Sequence, residues 1–413
     1  MNISVLTLVA VFVLIAVRKI GRFNVKIWQS MTGGALAVIA TGRISGLNAL
    51  KAIDFNVMLF LFGMFVVGQA LVAGGYLYVL AYRLFNRTTS VAQLVAAVLF
   101  GSALASALLM NDTLAIIGTP LVLRLAREHN INSKLLLLTL AYAITIGSVM
   151  SPLGNPQNFL IASQGGLSEP FPVFFKALAV PTLLNLALTY LVLRLAYRQH
   201  FIAAMPLSHR PVELLDKRLA KLSRISLFLL IGLIALNVIL SALHSTVRLE
   251  LSHIALIAAL PPLLFSPARF NLLKNLDWST LLFFAALFVL MSSVWQTGIV
   301  QQQVNNLQLN LTGIAAIMLL SASLSQLISN VPLVALYLPM LNHPSPEALM
   351  ALAAGSTIAG NLLILGAASN VIIIQHAEKH EATLGFFEFA RIGIPLGLVN
   401  LLIYWAWFRY VYG

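Results

Sequence analysis

Cysteine is absent from this 413-residue chain, which excludes disulfides, thiolate-held metal and cysteine nucleophiles. Charge is scarce as well. Asp, Glu, Lys and Arg make up 9% of the residues, whereas a soluble domain carries about 25%. Acidic side chains are the rarer sign, 12 against 25 Lys and Arg. No G-x-x-x-x-G-K-[ST] loop occurs, so the chain has no phosphate cradle of that type. The eight histidines show no H-E-x-x-H spacing, and no nucleophile–base pair stands out, which argues against an intramembrane enzyme.

What remains is apolar surface: 60% of the residues are hydrophobic, and the mean hydropathy is +0.94. Apolar stretches recur from end to end, many near the ~20 residues that span a bilayer. The opening MNISVLTLVAVFVLIAV lacks the basic flank of a cleaved signal and is expected to be the first span. Crossings are expected at about 2–17, 27–42, 55–82, 135–163, 171–197, 225–243, 251–266, 278–297, 348–376 and 390–411. Residues 91–127 and 310–342 each read as a pair of short helices folded back on one side. The expected class is an all-α polytopic membrane protein of about ten spans plus two re-entrant hairpins.

If residues 198–224 are cytoplasmic, the basic residues sort 20 to the inner side. Only Arg43, Lys51, Lys176, Arg248 and Arg409 stay outside. That bias follows the positive-inside rule and puts both termini outside an inner membrane. It explains the net charge of +13 without a nucleic-acid partner; the lipid bilayer is the partner expected instead.

The chain also repeats itself. Lys51 and Asp54 recur at one common offset as Lys274 and Asp277, each pair ahead of an apolar span. Ser106, Leu108, Asn111 and Pro120 recur at a slightly smaller offset as Ser325, Leu327, Asn330 and Pro339. Gly154 and Asn158 recur, at a smaller offset again, as Gly366 and Asn370. Small loop deletions in the second copy would shrink the offset in this way. An odd number of crossings per copy makes the second copy inverted. The expected units are residues 1–200 and 225–413, joined by a linker at 201–224.

These marks fall on polar interruptions of apolar segments. A helix broken inside a membrane leaves about four backbone groups unpaired at each end, and each is costly in lipid. Broken helices at matching places in two halves point to a carrier's binding site near the bilayer midplane. Proline and asparagine supply the chemistry of helix starts: Asn155 before Pro156, Ser329 or Asn330 before Pro332, and Asn111 or Asp112 before Thr113. Candidate substrate-binding residues are Asn111, Thr113, Asn155, Gln157, Asn158, Ser329, Asn330, Ser369 and Asn370. Candidate cation-coupling residues are Asp112, Ser151, Gly154 and Gly366. Asp112 is the one acidic residue placed deep in the membrane. An intramembrane carboxylate points to function, and H⁺ and Na⁺ compete for it. No organic cofactor is expected.

At these motifs the chain resembles the ion transporter superfamily that includes arsenite pumps, sodium–proton antiporters, citrate–metal permeases and divalent-anion/sodium symporters. SPLGNPQN and GNLLILGAASNV resemble its paired unwound segments, and MNDTLAIIGTPLV and SNVPLVALYLP resemble its hairpin tips. The resemblance implies an elevator-type carrier, often a homodimer. It also implies binding residues at Asn111, Asp112 and Thr113, at Ser329, Asn330 and Val331, and at the unwound segments. The tips depart from the Ser-Asn-Thr of the dicarboxylate branch, which brings the chain nearer the arsenite and sodium–proton branch. The function expected is secondary transport of a small anion or oxyanion coupled to Na⁺ or H⁺. The alternatives are Na⁺/H⁺ antiport and arsenite-type efflux.

Overall fold

The computed structural model describes residues 2–17, 19–20, 23–24, 26–85, 87–202, 214–243, 249–299, 302, 313–341, 343–382 and 384–412. The first half runs α1 (Ile3–Val17), α2 (Ile27–Ala40), α3 (Gly46–Ala52), α4 (Phe55–Ala73) and α5 (Tyr76–Phe85). It continues with α6 (Val91–Leu109), α7 (Asn111–Glu128), α8 (Ser133–Ser148), α9 (Pro156–Gln164), α10 (Pro170–Ala196) and the short α11 (Arg198–Ile202). The second half opens with α12 (Lys217–Ala242), α13 (Leu251–Phe265), α14 (Arg269–Lys274), α15 (Trp278–Trp295) and α16 (Ile314–Ile328). It ends with α17 (Asn330–Tyr337), α18 (Pro346–Leu362), α19 (Ala368–Glu378) and α20 (Phe386–Trp407). The protein is an all-α polytopic membrane protein. Among the described residues the only strands are a two-residue antiparallel ladder pairing Lys19 with Asn24 and Ile20 with Phe23.

Among the described residues six helices are long and apolar enough to cross a membrane, including α4, α6, α10, α12 and α15. Their outward faces are apolar too, as lipid solvation requires: Leu183, Leu191, Leu195, Phe228 and Ile239 stand exposed on α10 and α12. Helix starts are set by side-chain caps. Asp54 accepts from the Asn56 and Val57 amides, and its repeat mate Asp277 accepts from the Thr280 amide. Each such cap satisfies an otherwise orphaned donor.

The halves interleave. α4 packs on α13 of the second half, and its counterpart α15 packs on α2 of the first. Within each half the same neighbours recur, α6 along α8 and α16 along α18. Small residues allow the close approaches, as glycine does between membrane helices. A Cβ on Gly63 would fall 2.7 Å from the Ala255 carbonyl carbon, and one on Gly147 would fall 2.3 Å from the Ala103 carbonyl oxygen.

Two expectations need correction. The span expected at 55–82 is two helices, because Gly74 and Gly75 turn the chain, with Gly75 at φ +74°. Residues 217–224 belong to α12, whose start is capped by Asp216, so the linker ends sooner than expected. Of the rest of that linker, 201–202 end α11 and 203–213 lie outside the described residues, as do residues 310–312 and 342 of the second expected hairpin.

Gly147→Val forces a side chain into the Ala103 backbone and is expected to cost about 1–3 kcal/mol or more by overpacking. The check is the thermal denaturation midpoint in detergent. A midpoint equal to that of the parent would show that α6 and α8 are not in close contact.

Candidate functional site

Both segments expected as hairpins break at one residue. Met110 separates α6 from α7 at φ 63° and ψ 136°. Ser329, its counterpart in the repeat, separates α16 from α17 at φ 69° and ψ 161°. Side chains rarely adopt such angles, and each instance costs of order 1–3 kcal/mol. The expected caps are therefore corrected. Neither Asn111 nor Asn330 caps its helix: each is the first helical residue, and the turn residue before it gives no side-chain cap.

The first interruption, between α8 and α9, is closed by its own amides. Asn155 caps α9 as expected, its Oδ1 accepting from the Asn158 amide at 2.8 Å. Asn158 Nδ2 donates to the carbonyls of Ser148, Val149 and Ser151 at 3.0, 3.2 and 3.0 Å. These are carbonyls that the broken helix leaves without partners. Asn155 Nδ2 donates to Ser148 Oγ at 2.9 Å and to Thr357 Oγ1 at 3.3 Å, and Gln157 Nε2 reaches the same threonine. Thr357 lies on α18, so this network ties the first half to the second. Ser151 Oγ accepts from the Leu153 amide. Gly154 is pressed against Ser148, where a Cβ would stand 2.3 Å from its carbonyl oxygen, and the Gly154 carbonyl accepts from the Asn111 amide at 2.8 Å. The first tip is thus fastened to the first break.

The second interruption, between α18 and α19, repeats one bond: Asn370 Nδ2 donates to the Gly360 carbonyl at 2.6 Å. Ala367 and Ser369 stand where the first half has Asn155 and Gln157, so the amides that fill the first break are missing. Asn370 Oδ1, Ser369 Oγ and Thr145 Oγ1 are buried without partners, as are Asn330 Oδ1 and Asn111 Oδ1 at the tips. Gly366 packs under Gln326, which bonds the Ala359 carbonyl. Thr113 lies against Gly68 of α4.

A cavity of about 620 Å³ meets these elements end-on. Its wall includes Asp112 and Ser329 from the two tips and Pro156 and Ala368, the first residues of α9 and α19. Of the expected site residues, Asp112 and Ser329 face it. Asn111, Asn155, Asn158, Asn330, Ser369 and Asn370 are buried and do not line it. Sequence reasoning missed Lys26, Trp28, Asp277, Ser279 and Thr280, which also line the cavity. Asp277 carried a signal, as a mark of the repeat, but its role as a cap gave no hint of a cavity. Among the described residues no cluster of three or more His, Asp or Glu is placed to hold a metal.

Broken helices ending on a cavity inside a bundle of apolar spans define a membrane transporter. The comparisons give the particular family: the citrate transporter family model matches residues 11–349, and the chain belongs to that family. It is 28% identical to an uncharacterized transporter of Mycobacterium tuberculosis, over 99% of this chain and 98% of that one. It is 26% identical to the P protein of Homo sapiens, over 97% of this chain and 59% of that one. The fold matches the crystal structure of the YdaH transporter of Alcanivorax borkumensis with a TM-score of 0.59 at 16% identity, covering 99% and 98% of the two chains.

Asn158→Leu strips the donor from three carbonyls and is expected to cost about 3 kcal/mol, whereas Asn370→Leu strips one carbonyl, for about 1–2 kcal/mol. Denaturation midpoints in detergent check the order; a larger drop for Asn370→Leu would contradict this assignment.

Proposed function

We propose that this protein is a secondary carrier moving a small anion across the cell inner membrane, coupled to H⁺ or Na⁺ through Asp112. In this reading two inverted halves, 1–200 and 225–413, present two re-entrant tips and two half-helix starts to one site. Transport proceeds by alternating access of elevator type. The single observation that carries it is the convergence of Asp112, Ser329, Pro156 and Ala368 on one cavity. Inversion is supported by the order of elements and by the exchanged packing of α4 on α13 and α15 on α2.

The chemistry divides naturally. Helix N-termini present N–H groups and a partial positive charge, which suit an anion. α9 and α19 both begin at the cavity wall. Unpartnered buried oxygens suit a cation or a proton donor, and Asn370, Ser369, Thr145 and Asn330 supply them beside the second break. Asp112 holds a proton or a sodium ion in one state and repels the anion when empty, which is a minimal coupling device. The family's name makes citrate the first solute to try, with phosphate, sulfate and arsenite beside it.

A second reading, Na⁺/H⁺ antiport or arsenite-type efflux, is favoured by one observation: among the described residues, Asp112 and Asp277 line the cavity with a single lysine, Lys26. That balance suits a cation or a neutral solute better than a polyanion.

Asp112→Asn is expected to abolish gradient-driven uptake into proteoliposomes while leaving the size-exclusion profile unchanged. Coupled uptake at the parent rate would remove Asp112 from the mechanism. In the native cysteine-free background, Asn111→Cys and Asn330→Cys are expected to exchange accessibility between the two membrane sides during turnover. Fixed one-sided labelling at both would contradict alternating access. A thermal-shift panel of citrate, phosphate, sulfate, arsenite and sodium separates the two readings, since only the first predicts stabilisation by an anion.

A further inference from the structure

The two ends of the molecule differ at equivalent positions. At one end α4 and α9 touch: Gln164 Nε2 donates to Asp54 Oδ2 at 2.8 Å, and the rings of Phe60 and Phe159 stack at 3.8 Å, 8° from parallel. The repeat offsets carry this contact onto α15 and α19. At the offset that relates Lys51 to Lys274, Asp54 and Phe60 become Asp277 and Phe283. At the offset that relates Asn158 to Asn370, Phe159 and Gln164 become Val371 and His376. There the partners stand apart. Asp277, Phe283, Val371 and Gln375, the neighbour of His376, all line the cavity, and among the described residues no hydrogen bond joins Asp277 to His376. Asp277 Oδ2 accepts instead from the Thr280 hydroxyl at 2.6 Å, and Thr280 stands where the first half has Val57.

We infer that Asp54–Gln164 and Asp277–His376 are the two latches of the carrier, closed in turn, and that the structure holds the first closed and the second open. Closing the second brings α19 onto α15, seats Val371 against Phe283 and shuts the cavity. Opening the first parts Phe60 from Phe159 and exposes the other end. The inference rests on the alternating-access reading above. It adds which contacts a half-turn of the cycle makes and breaks. The physical basis is that two packings of similar contacts related by a repeat differ little in free energy, so one hydrogen bond shifts their populations. Asp277 keeps its capping bonds to Thr280 in the open state, so neither carboxylate is left bare when its latch is released.

The test uses the full chain, which has no native cysteine, reconstituted in vesicles. Single cysteines at Phe60→Cys and Phe283→Cys are labelled with a membrane-impermeant maleimide from each side, alone and combined with Gln164→Ala or His376→Ala. These two alanine variants leave both aspartate caps in place. Gln164→Ala is expected to raise labelling at position 60 and lower it at 283 by roughly fivefold, the population change that losing one hydrogen bond produces. His376→Ala is expected to lower labelling at 60 and leave 283 fully reactive. If 60 and 283 label from opposite sides but neither alanine shifts the balance, the latches are wrong while the carrier stands. If position 60 stays unreactive in every variant with a native size-exclusion profile, alternating access fails and the latches fail with it.

Discussion

The structure depends on how a membrane protein closes a broken helix. Stopping α8 at Ser148 and starting α9 at Pro156 frees carbonyls and amides that lipid cannot satisfy. Asn158 answers most of this with one side chain, gathering three carbonyls that would otherwise point into a low-dielectric interior. Asn155 answers the other end by capping α9. With those groups satisfied, the break is a fixed part of the fold, and its half-helix can begin at the wall of the cavity.

The second half keeps the geometry of that solution and drops part of its chemistry. Asn370 braces Gly360 as Asn158 braces Ser148, yet Ala367 and Ser369 cannot supply the amides of Asn155 and Gln157. The equivalent threonines record the difference: Thr357 is bonded by both amides of the first break, while Thr145 is buried without a partner. A buried oxygen without a donor costs about 1–3 kcal/mol, and several at one break favour a bound partner that supplies positive charge. The tips follow the same division. The first is tied to the Gly154 carbonyl through the Asn111 amide, and Ser329 of the second faces open space.

Much of this was legible before any coordinates. The apolar segments, the positions of the helix breaks and the Asn155 cap follow from hydropathy and from proline and asparagine chemistry, which act locally. The tip conformations were not legible. Methionine and serine carry no signal for positive φ, and only the packing around Met110 and Ser329 holds them there. The Gly74–Gly75 turn was hidden because apolar residues continue on both sides of it. The rest of the cavity lining was hidden for another reason. Lys26, Trp28, Asp277 and Thr280 come from segments remote from the motifs, and only tertiary packing, of α15 on α2 among others, brings them to the site.

That packing explains why the halves need each other. α15, which bears Asp277, lies on α2 of the first half, and a hydrophobic cluster of Leu8, Val11, Met31, Val38, Leu287 and Leu290 joins α1, α2 and α15. Its counterpart joins α12 and α13 to α4, which bears Asp54. Each carboxylate is therefore mounted on a three-helix unit drawn from both halves. The elements it faces, α9 and α19, meet the tips of the opposite half, α17 and α7 respectively. Tip-and-break elements and three-helix units therefore meet at both carboxylates, Asp54 and Asp277. Under the proposed alternating access, this exchange of helices would let one rigid displacement open one end as it closes the other.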